Sequence, residues 1–283
     1  MNTKLSKIKN IAWAVAILLV LLLLAIALGF GAFTRNRGEM QRPTVLLGEA
    51  AAERDAALAA AKKAEEAAAQ QSGNGAVHVL GESADAGQSY IDSLTFLVDS
   101  ALIGLRDYGL LSEGTATTQV WGTAAGNVPA AELATYTIRY PWDGSEITPA
   151  DAAMINKPAR LVLSLGTDSL ADTDQQHFIS DYESLIRGIQ ESSPDTAVIV
   201  CSITSVTVSY SGNDGLTTAL VNDANRWLEQ VCADTGAYFV DVASSVSDSD
   251  GTLISEYASA NGKTPNSAGL NQILQYLRIH ALA

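Results

Sequence analysis

The stretch LTFLVDSALIGLRDYG (residues 94–109) decides the fold class. It begins with an almost unbroken apolar run, which is typical of a strand buried on both faces of a parallel sheet. Asp99-Ser100 follows directly and opens a segment with helical spacing, in which Ser100 can cap the helix and Gly109 can end it. The stretch therefore predicts a buried strand that passes through a serine into a helix.

The same alternation of strand and helix continues to the C-terminus. Apolar runs at 159–166, 197–203 and 237–242 predict further buried strands, and amphipathic helices separate them. We expect residues 88–283 to form a three-layer α/β/α domain of the flavodoxin-like kind, with about five parallel strands. Ligands of such domains bind beyond the carboxyl ends of the strands. The residues at those ends are Asp99-Ser100, 166–168, 202–204 and Asp241.

The N-terminal part of the chain predicts a membrane anchor. Residues 11–33 contain no charged side chain and are numerous enough to cross a bilayer core of about 30 Å as a helix. A cleavable signal peptide has a shorter apolar region of about 7–15 residues. Three Lys or Arg residues lie near each end of this run, so charge alone does not orient it. We expect residues 1–10 to be a short cytoplasmic tail and 11–33 a single transmembrane span in the cell membrane, with the lipid bilayer as its partner.

A spacer follows the predicted anchor. Residues 49–71 are rich in Ala, Glu and Lys, which favour a solvated helix. The segment SGNGAVHVLGESADAGQ (72–88) has the composition of a flexible joint. Residues 34–87 are therefore predicted to form a helical stalk and a joint.

The composition of the chain restricts its partners, its compartment and its cofactors. The formal net charge of −14 argues against a nucleic-acid partner. Charged residues make up only 17% of the chain, which suits a domain outside the cytoplasm. Cys201 and Cys232 lie in apolar settings and are expected to be buried thiols rather than a disulfide. Because no Cys/His metal spacing occurs, we expect no metal and no cofactor.

Three blocks of sequence, in order, resemble the SGNH/GDSL hydrolase superfamily, especially the membrane-anchored acylhydrolases of Gram-positive bacteria. LVDSALIGLRDYG (97–109) resembles the first block, which ends a strand with Gly-Asp-Ser. LVLSLGTDSL (161–170) resembles the third block, which ends a strand with Gly-x-Asn. Residues 251–281 resemble the last block, in which an Asp and a His precede the final helix.

The resemblance implies ester hydrolysis by a serine that a histidine deprotonates and an aspartate orients. It places Ser100 at the nucleophile position. It also implies an oxyanion hole made by the serine N–H, a glycine N–H of the second block and the asparagine of the third. Gly122 is the candidate for that glycine, and Gly126 competes with it; Asp168 occupies the position of the asparagine.

The chain departs from this pattern where the chemistry is carried out. Val98 replaces the glycine before Asp-Ser, and the catalytic Asp and His correspond to Asn261 and Thr264. A threonine cannot serve as the base near neutral pH. Loss of a triad member costs about 10⁴–10⁶ in kcat. An ionised Asp168 would also face a developing oxyanion with a like charge.

Three hypotheses for the function follow. The first is a pseudoenzyme: a membrane-anchored, extracytoplasmic domain that binds a cell-wall glycan or an envelope protein. The second is a serine esterase or acylhydrolase that acts on O-acetyl or short acyl esters with a non-standard base. The third is a purely structural role, which nothing in the sequence supports directly. The replacements at 98, 168, 261 and 264 favour the first, whereas Ser100 is the one feature that favours the second.

Overall fold

The computed structural model describes residues 76–128, 133, 135–212 and 214–282. Its helices, in chain order, are α1 (Gly87–Asp92), α2 (Gly104–Asp107), α3 (Pro149–Asn156), α4 (Gln175–Ser192), α5 (Thr218–Thr235) and α6 (Ser267–Ile279). Its strands are β1 (His78–Val79), β2 (Leu94–Val98), β3 (Val120–Trp121), β4 (Ile138–Arg139), β5 (Glu146–Ile147), β6 (Arg160–Ser164), β7 (Ala197–Cys201) and β8 (Tyr238–Val240). Short 3₁₀ turns occur at Gly114–Ala116, Leu170–Asp172, Val242–Ser245 and Ser255–Tyr257.

The main sheet has six strands in the order β1-β8-β7-β6-β2-β3, and every pair of neighbours is parallel. β4 and β5 form a separate antiparallel pair. The four strands placed from the sequence are confirmed as β2, β6, β7 and the three-residue β8 at the centre of the sheet, which has six strands where about five were expected. β1 and β3, at its two edges, have only two residues each, which is too short for a periodic signal in the sequence.

Apolar side chains of the central strands point alternately to two cores. On one face, Leu97, Leu163 and Val200 pack with side chains from α3, α4 and α5. On the other face, Phe96 and Val98 pack with α1 and α6. The predicted three-layer α/β/α architecture is therefore confirmed. Cys201 and Cys232 are buried free thiols, as predicted.

The segment before residue 88 is part of this domain, contrary to its assignment as a joint. β1 pairs with β8, and the Leu80 N–H donates to the Phe239 carbonyl at 2.7 Å. Farther on, the Ser83 N–H donates to the Ile279 carbonyl at 2.6 Å. The Gly and Ser residues of the segment suggested flexibility, but its backbone groups are bonded to the sheet and to α6.

The predicted tail, the transmembrane segment 11–33 and the stalk helix 49–71 lie outside the described residues. None of the helices within the described ranges is both long and apolar enough to cross a membrane.

Candidate functional site

The carboxyl ends of β2 and β6 are joined by the side chain of Asp99. This carboxyl group is fully buried. Its Oδ2 accepts hydrogen bonds from the backbone N–H groups of Gly166 and Thr167, both at 2.8 Å, and its Oδ1 accepts one from Ala101 at 3.0 Å. Asp99 thus holds the loop after β6 against the loop after β2.

Asp168 makes the reciprocal connection, from the loop after β6 back to Ser100. Its Oδ1 lies 2.5 Å from Ser100 Oγ, and its Oδ2 accepts the Ser100 N–H at 3.0 Å. We call these two carboxylates and their partners in the facing loop the cross-clamp. Ser100 was predicted to be a helix cap, but α2 begins only at Gly104 and Ser100 bonds to Asp168 instead.

A second backbone donor meets the same carboxylate oxygen. The Val128 N–H donates to Asp168 Oδ2 at 3.2 Å. Two backbone N–H groups that converge on one negatively charged oxygen form the arrangement of an oxyanion hole. Here the oxygen that they bind belongs to the protein itself.

Gly122 and Gly126 were the predicted glycine donors of this hole. Among the described residues, neither has a hydrogen bond to Ser100 or Asp168. The carbonyl of Gly122 accepts from Arg139 N, and the N–H of Gly126 donates to the Thr123 carbonyl. The donor that the structure places beside Ser100 is Val128, two residues beyond Gly126.

Lys263 brings a positive charge to the cross-clamp. Its Nζ lies 3.9 Å from Asp168 Oδ1 and 3.0 Å from Asp214 Oδ2. The Tyr210 hydroxyl donates to Asp214 at 2.7 Å. The Tyr210 hydrogen bond and then the Lys263 ammonium lower the pKa of Asp214 to about 2, so Asp214 is ionised at neutral pH.

Asn261 and Thr264, which the resemblance assigned to the positions of the catalytic Asp and His, bond mainly to their own loop. Asn261 Oδ1 accepts the N–H groups of Lys263 at 2.8 Å and Thr264 at 3.2 Å. Asn261 Nδ2 donates to Thr264 Oγ1 at 3.3 Å. The Asn261 side chain therefore shapes a turn that presents Lys263, not a proton acceptor, to the serine side of the site.

The three histidines of the chain are all engaged elsewhere. His78 contacts Tyr238, His177 pairs with Asp174 at 2.8 Å, and His280 stacks on Tyr276. Within the described part of the chain, none has a hydrogen bond to Ser100 or Asp168. No histidine is thus placed to take the proton of Ser100.

Burial, and then the negative charge of Asp168, raise the pKa of Asp99 from its ordinary 3.8 to about 7. Its three backbone donors act in the opposite direction but do not overcome these effects. The site therefore contains two carboxyl groups of different character. Asp99 is buried and readily protonated, whereas Asp168 contacts both Ser100 and Lys263.

Sequence reasoning found Ser100 and Asp168 but missed Val128 and Lys263. Val128 acts through its backbone, which leaves no signal in residue type. Lys263 lies between Asn261 and Thr264, the two positions that the resemblance singled out. Its positive charge was the one signal in the sequence that it could pair with Asp168.

Comparison with known proteins agrees with the fold. The model of the GDSL-like Lipase/Acylhydrolase family matches residues 92–270. No curated protein matches the sequence. The solved structures that match parts of this chain include three bacterial proteins. One, described as a platelet activating factor from Streptococcus pneumonia, has 16% identity over 66% of this chain and 82% of its own, with a TM-score of 0.47.

The other two have 14% identity each. One is described as a lipolytic protein of the G-D-S-L family from Desulfitobacterium hafniense (67% of this chain, 99% of its own, TM-score 0.46). The other is described as an acylhydrolase from Bacteroides fragilis (70% and 88%, TM-score 0.47). Since the family match extends over more than half of the sequence, this chain belongs to the GDSL-like lipase/acylhydrolase family.

Proposed function

We propose that this chain is a pseudoenzyme of its family, which binds a cell-envelope ligand and does not hydrolyse esters. One observation carries the proposal: Asp168 Oδ2 accepts both backbone N–H groups that converge beside Ser100, those of Ser100 and Val128. A substrate carbonyl would need these donors for the negative charge that develops on its oxygen. The carboxylate already occupies them.

Electrostatics make this occupation costly for hydrolysis. A carboxylate next to a developing oxyanion repels it, and loss of even one oxyanion-hole donor costs about 3–4 kcal/mol of transition-state stabilisation. The site also offers Ser100 no imidazole base. Lys263 partly balances the charge of Asp168, which stabilises the occupied state rather than an empty hole.

The proposal includes a location and a class of ligand. The uncharged run at 11–33 supports a single membrane span, and the low share of charged residues together with the family resemblance supports a domain outside the cytoplasm, near cell-wall glycan or envelope proteins. Protease treatment of intact cells tests the orientation. We expect the protease to digest the domain while a cytoplasmic control protein stays intact. If the domain is also protected, the proposed orientation is wrong.

Hydrolysis assays test the loss of activity. We expect the full chain and Ser100→Ala to release acetate from an activated acetyl ester and from an O-acetylated glycan at equal, background rates at neutral pH. A wild-type rate well above background that disappears in Ser100→Ala would refute the pseudoenzyme.

A second candidate function has one specific observation in its favour. The 2.5 Å contact between Ser100 Oγ and Asp168 Oδ1 would let Asp168 act as the non-standard base of a serine esterase. The variant Asp168→Asn separates the two candidates. It would abolish activity in the esterase, whereas in the pseudoenzyme it removes the charge that blocks the hole and cannot lower a background rate.

A further inference from the structure

A cleft lies at the same edge of the sheet as Ser100, beyond the carboxyl ends of β7 and β8. Its volume is about 310 Å³, within reach of the lower end of ordinary ligand pockets. Ile203 and Val221 contribute apolar surface, and polar residues of α5 and of the turn 244–251 form the walls. Ser100 and Asp168 are not among the residues that line it. We call it the β7–β8 cleft.

The walls of this cleft are fixed by hydrogen bonds within the domain. Asn225 Oδ1 accepts the Ile203 N–H at 2.7 Å, and Asn225 Nδ2 donates to the Ile203 carbonyl at 3.0 Å. Asp248 accepts from Thr252 Oγ1 at 2.7 Å and from the N–H groups of Asp250 and Thr252 at 3.0 Å. These bonds join α5 to the strand end and shape the opposite turn, so a ligand would meet a preformed site.

Other polar groups in the cleft are left without partners. Within the described part of the chain, the Asp241 carboxylate, the Asn222 amide and the hydroxyls of Ser247 and Ser249 have no hydrogen bond to protein. A carboxylate can accept two hydroxyl groups, and an amide both donates and accepts. Together they offer the mixed donors and acceptors that a polyhydroxylated ligand requires.

Charge restricts that ligand further. The lining residues include two aspartates and no Lys, Arg or His among the described residues. An anionic ligand would therefore be repelled, whereas a neutral or amino sugar would not. We propose that the β7–β8 cleft binds a neutral or amino sugar unit, with Asp241 and Asn222 as its main hydrogen-bonding residues.

The inference rests on the proposed function, because it gives the glycan-binding pseudoenzyme a site that is separate from Ser100. The test is equilibrium binding to the detergent-solubilised full chain, with N,N′-diacetylchitobiose and glucosamine as probes and glucuronate as the anionic comparison. We expect at least one of the two probes to bind and glucuronate to bind at least tenfold more weakly than that probe.

Variants locate the binding. Asp241→Asn and Asn222→Leu should each weaken binding of the probe at least tenfold. Asp250→Asn removes a charge from the same turn but lies outside the lining, and it should change the affinity less than twofold. Ser100→Ala should also leave the affinity unchanged.

Three results would overturn the inference. They are no binding of either probe, equal binding by wild type and Asp241→Asn, and loss of binding in Ser100→Ala with retention in Asp241→Asn. The last result would show that the glycan binds at the Ser100 site, and it would be compatible with the pseudoenzyme proposal. Ester hydrolysis by wild type, measured separately, would instead refute the proposed function whatever the sugar result.

Discussion

Two regions that meet at the site are held together in different ways. In the cross-clamp, carboxyl groups join the two strand ends: Asp99 binds the loop after β6, and Asp168 binds Ser100 at the end of β2. The loop 259–266 is held by an amide, because Asn266 Nδ2 donates to the carbonyls of Glu256 at 2.8 Å and Ala258 at 2.9 Å. The cross-clamp contacts the serine directly, whereas the loop approaches it through Lys263.

The difference shows which contacts hold the serine. Within the described part of the chain, the N–H and the hydroxyl of Ser100 both bond to Asp168, and neither bonds to the loop 259–266. We therefore expect the position of Ser100 to be insensitive to the residues at 261 and 264.

The strongest test of this comparison restores the family's residues at one position of the cross-clamp and at two positions of the loop 259–266. The triple variant Asp168→Asn, Asn261→Asp, Thr264→His should raise hydrolysis of an activated acetyl ester at least about 100-fold over wild type. The reason is that triad members are worth about 10⁴–10⁶ in kcat when their geometry is right. The measurement is initial rates at neutral pH.

The control for this test is the same triple variant with Ser100→Ala, which should return to background. If the triple variant gains nothing, the loop 259–266 does not bring residue 264 to Ser100, and the two regions no longer form one catalytic site.

The next largest effect concerns folding. Asp99→Ala leaves the N–H groups of Ala101, Gly166 and Thr167 without their acceptor. Each unsatisfied buried group costs about 1–3 kcal/mol, so the free energy of unfolding should fall by about 3 kcal/mol or more. Urea denaturation followed by tryptophan fluorescence measures it.

Asp195→Ala is the matched control for Asp99→Ala, since Asp195 is exposed and its side chain has no hydrogen bond to the described residues. It should change stability by less than about 0.5 kcal/mol. A similarly small change in Asp99→Ala would show that the cross-clamp is not what holds the two strand ends together.

The pH dependence of stability follows from the raised pKa of Asp99. The unfolded chain ionises this group near 3.8, whereas the folded chain keeps the proton until about pH 7. Between these values the folded state binds more protons, so stability falls as the pH rises, by up to about 1.4 kcal/mol per pH unit. The charged group that acts on Asp99 is Asp168, and the negative charge of Asp99 in turn helps to raise the pKa of the buried Tyr136 and Tyr182.

Denaturation curves between pH 4 and pH 7 measure this slope, and Asp99→Asn is expected to flatten it. Equal slopes in the wild type and in Asp99→Asn would assign the pH dependence to other carboxyl groups.

The smallest expected effect belongs to the other region. Lys263→Met removes the ion pair with Asp214, whose side chain is 38% exposed, and the longer 3.9 Å pair with Asp168. Partly exposed ion pairs contribute about 0.2–1 kcal/mol, and salt screens them. The loss of stability should stay below about 1 kcal/mol and shrink at high salt, whereas Lys157→Met, a change at an exposed lysine, should have no salt-dependent effect. A loss of several kcal/mol would make Lys263 as important to the fold as Asp99.

The sequence predicted the parts of the fold that long apolar runs encode. β2, β6 and β7 are continuous apolar strands of five residues each, and their order with the helices implied a parallel sheet. β1 was not predicted from the sequence, because two residues are too few to show a periodic pattern and the glycines and serines around it resemble a linker. Its pairing depends on β8, which lies about 160 residues farther along the chain.

The sequence predicted which residues lie in the site, but it did not predict the contacts between them. The resemblance placed Ser100 and Asp168 in one site, yet nothing in either block indicated that the aspartate would bind the serine. That contact depends on a rotamer and on two loops 68 residues apart in sequence. The Val128 donor is a backbone group, which the residue type does not reveal. The role of Lys263 is visible only from its distance to Asp168 in the folded chain.

The attachment of the first described residues to the last helix also determines how the domain would respond to mechanical load. Asp85 forms an ion pair with Arg278, and the Ala86 N–H donates to the Arg278 carbonyl. Tension that enters along the chain from residue 76 therefore acts on a two-residue edge strand and on the last turns of α6 before it reaches β2. We therefore expect β1 to separate from β8 before the load reaches Ser100, which lies at the end of β2, four strands away in the sheet.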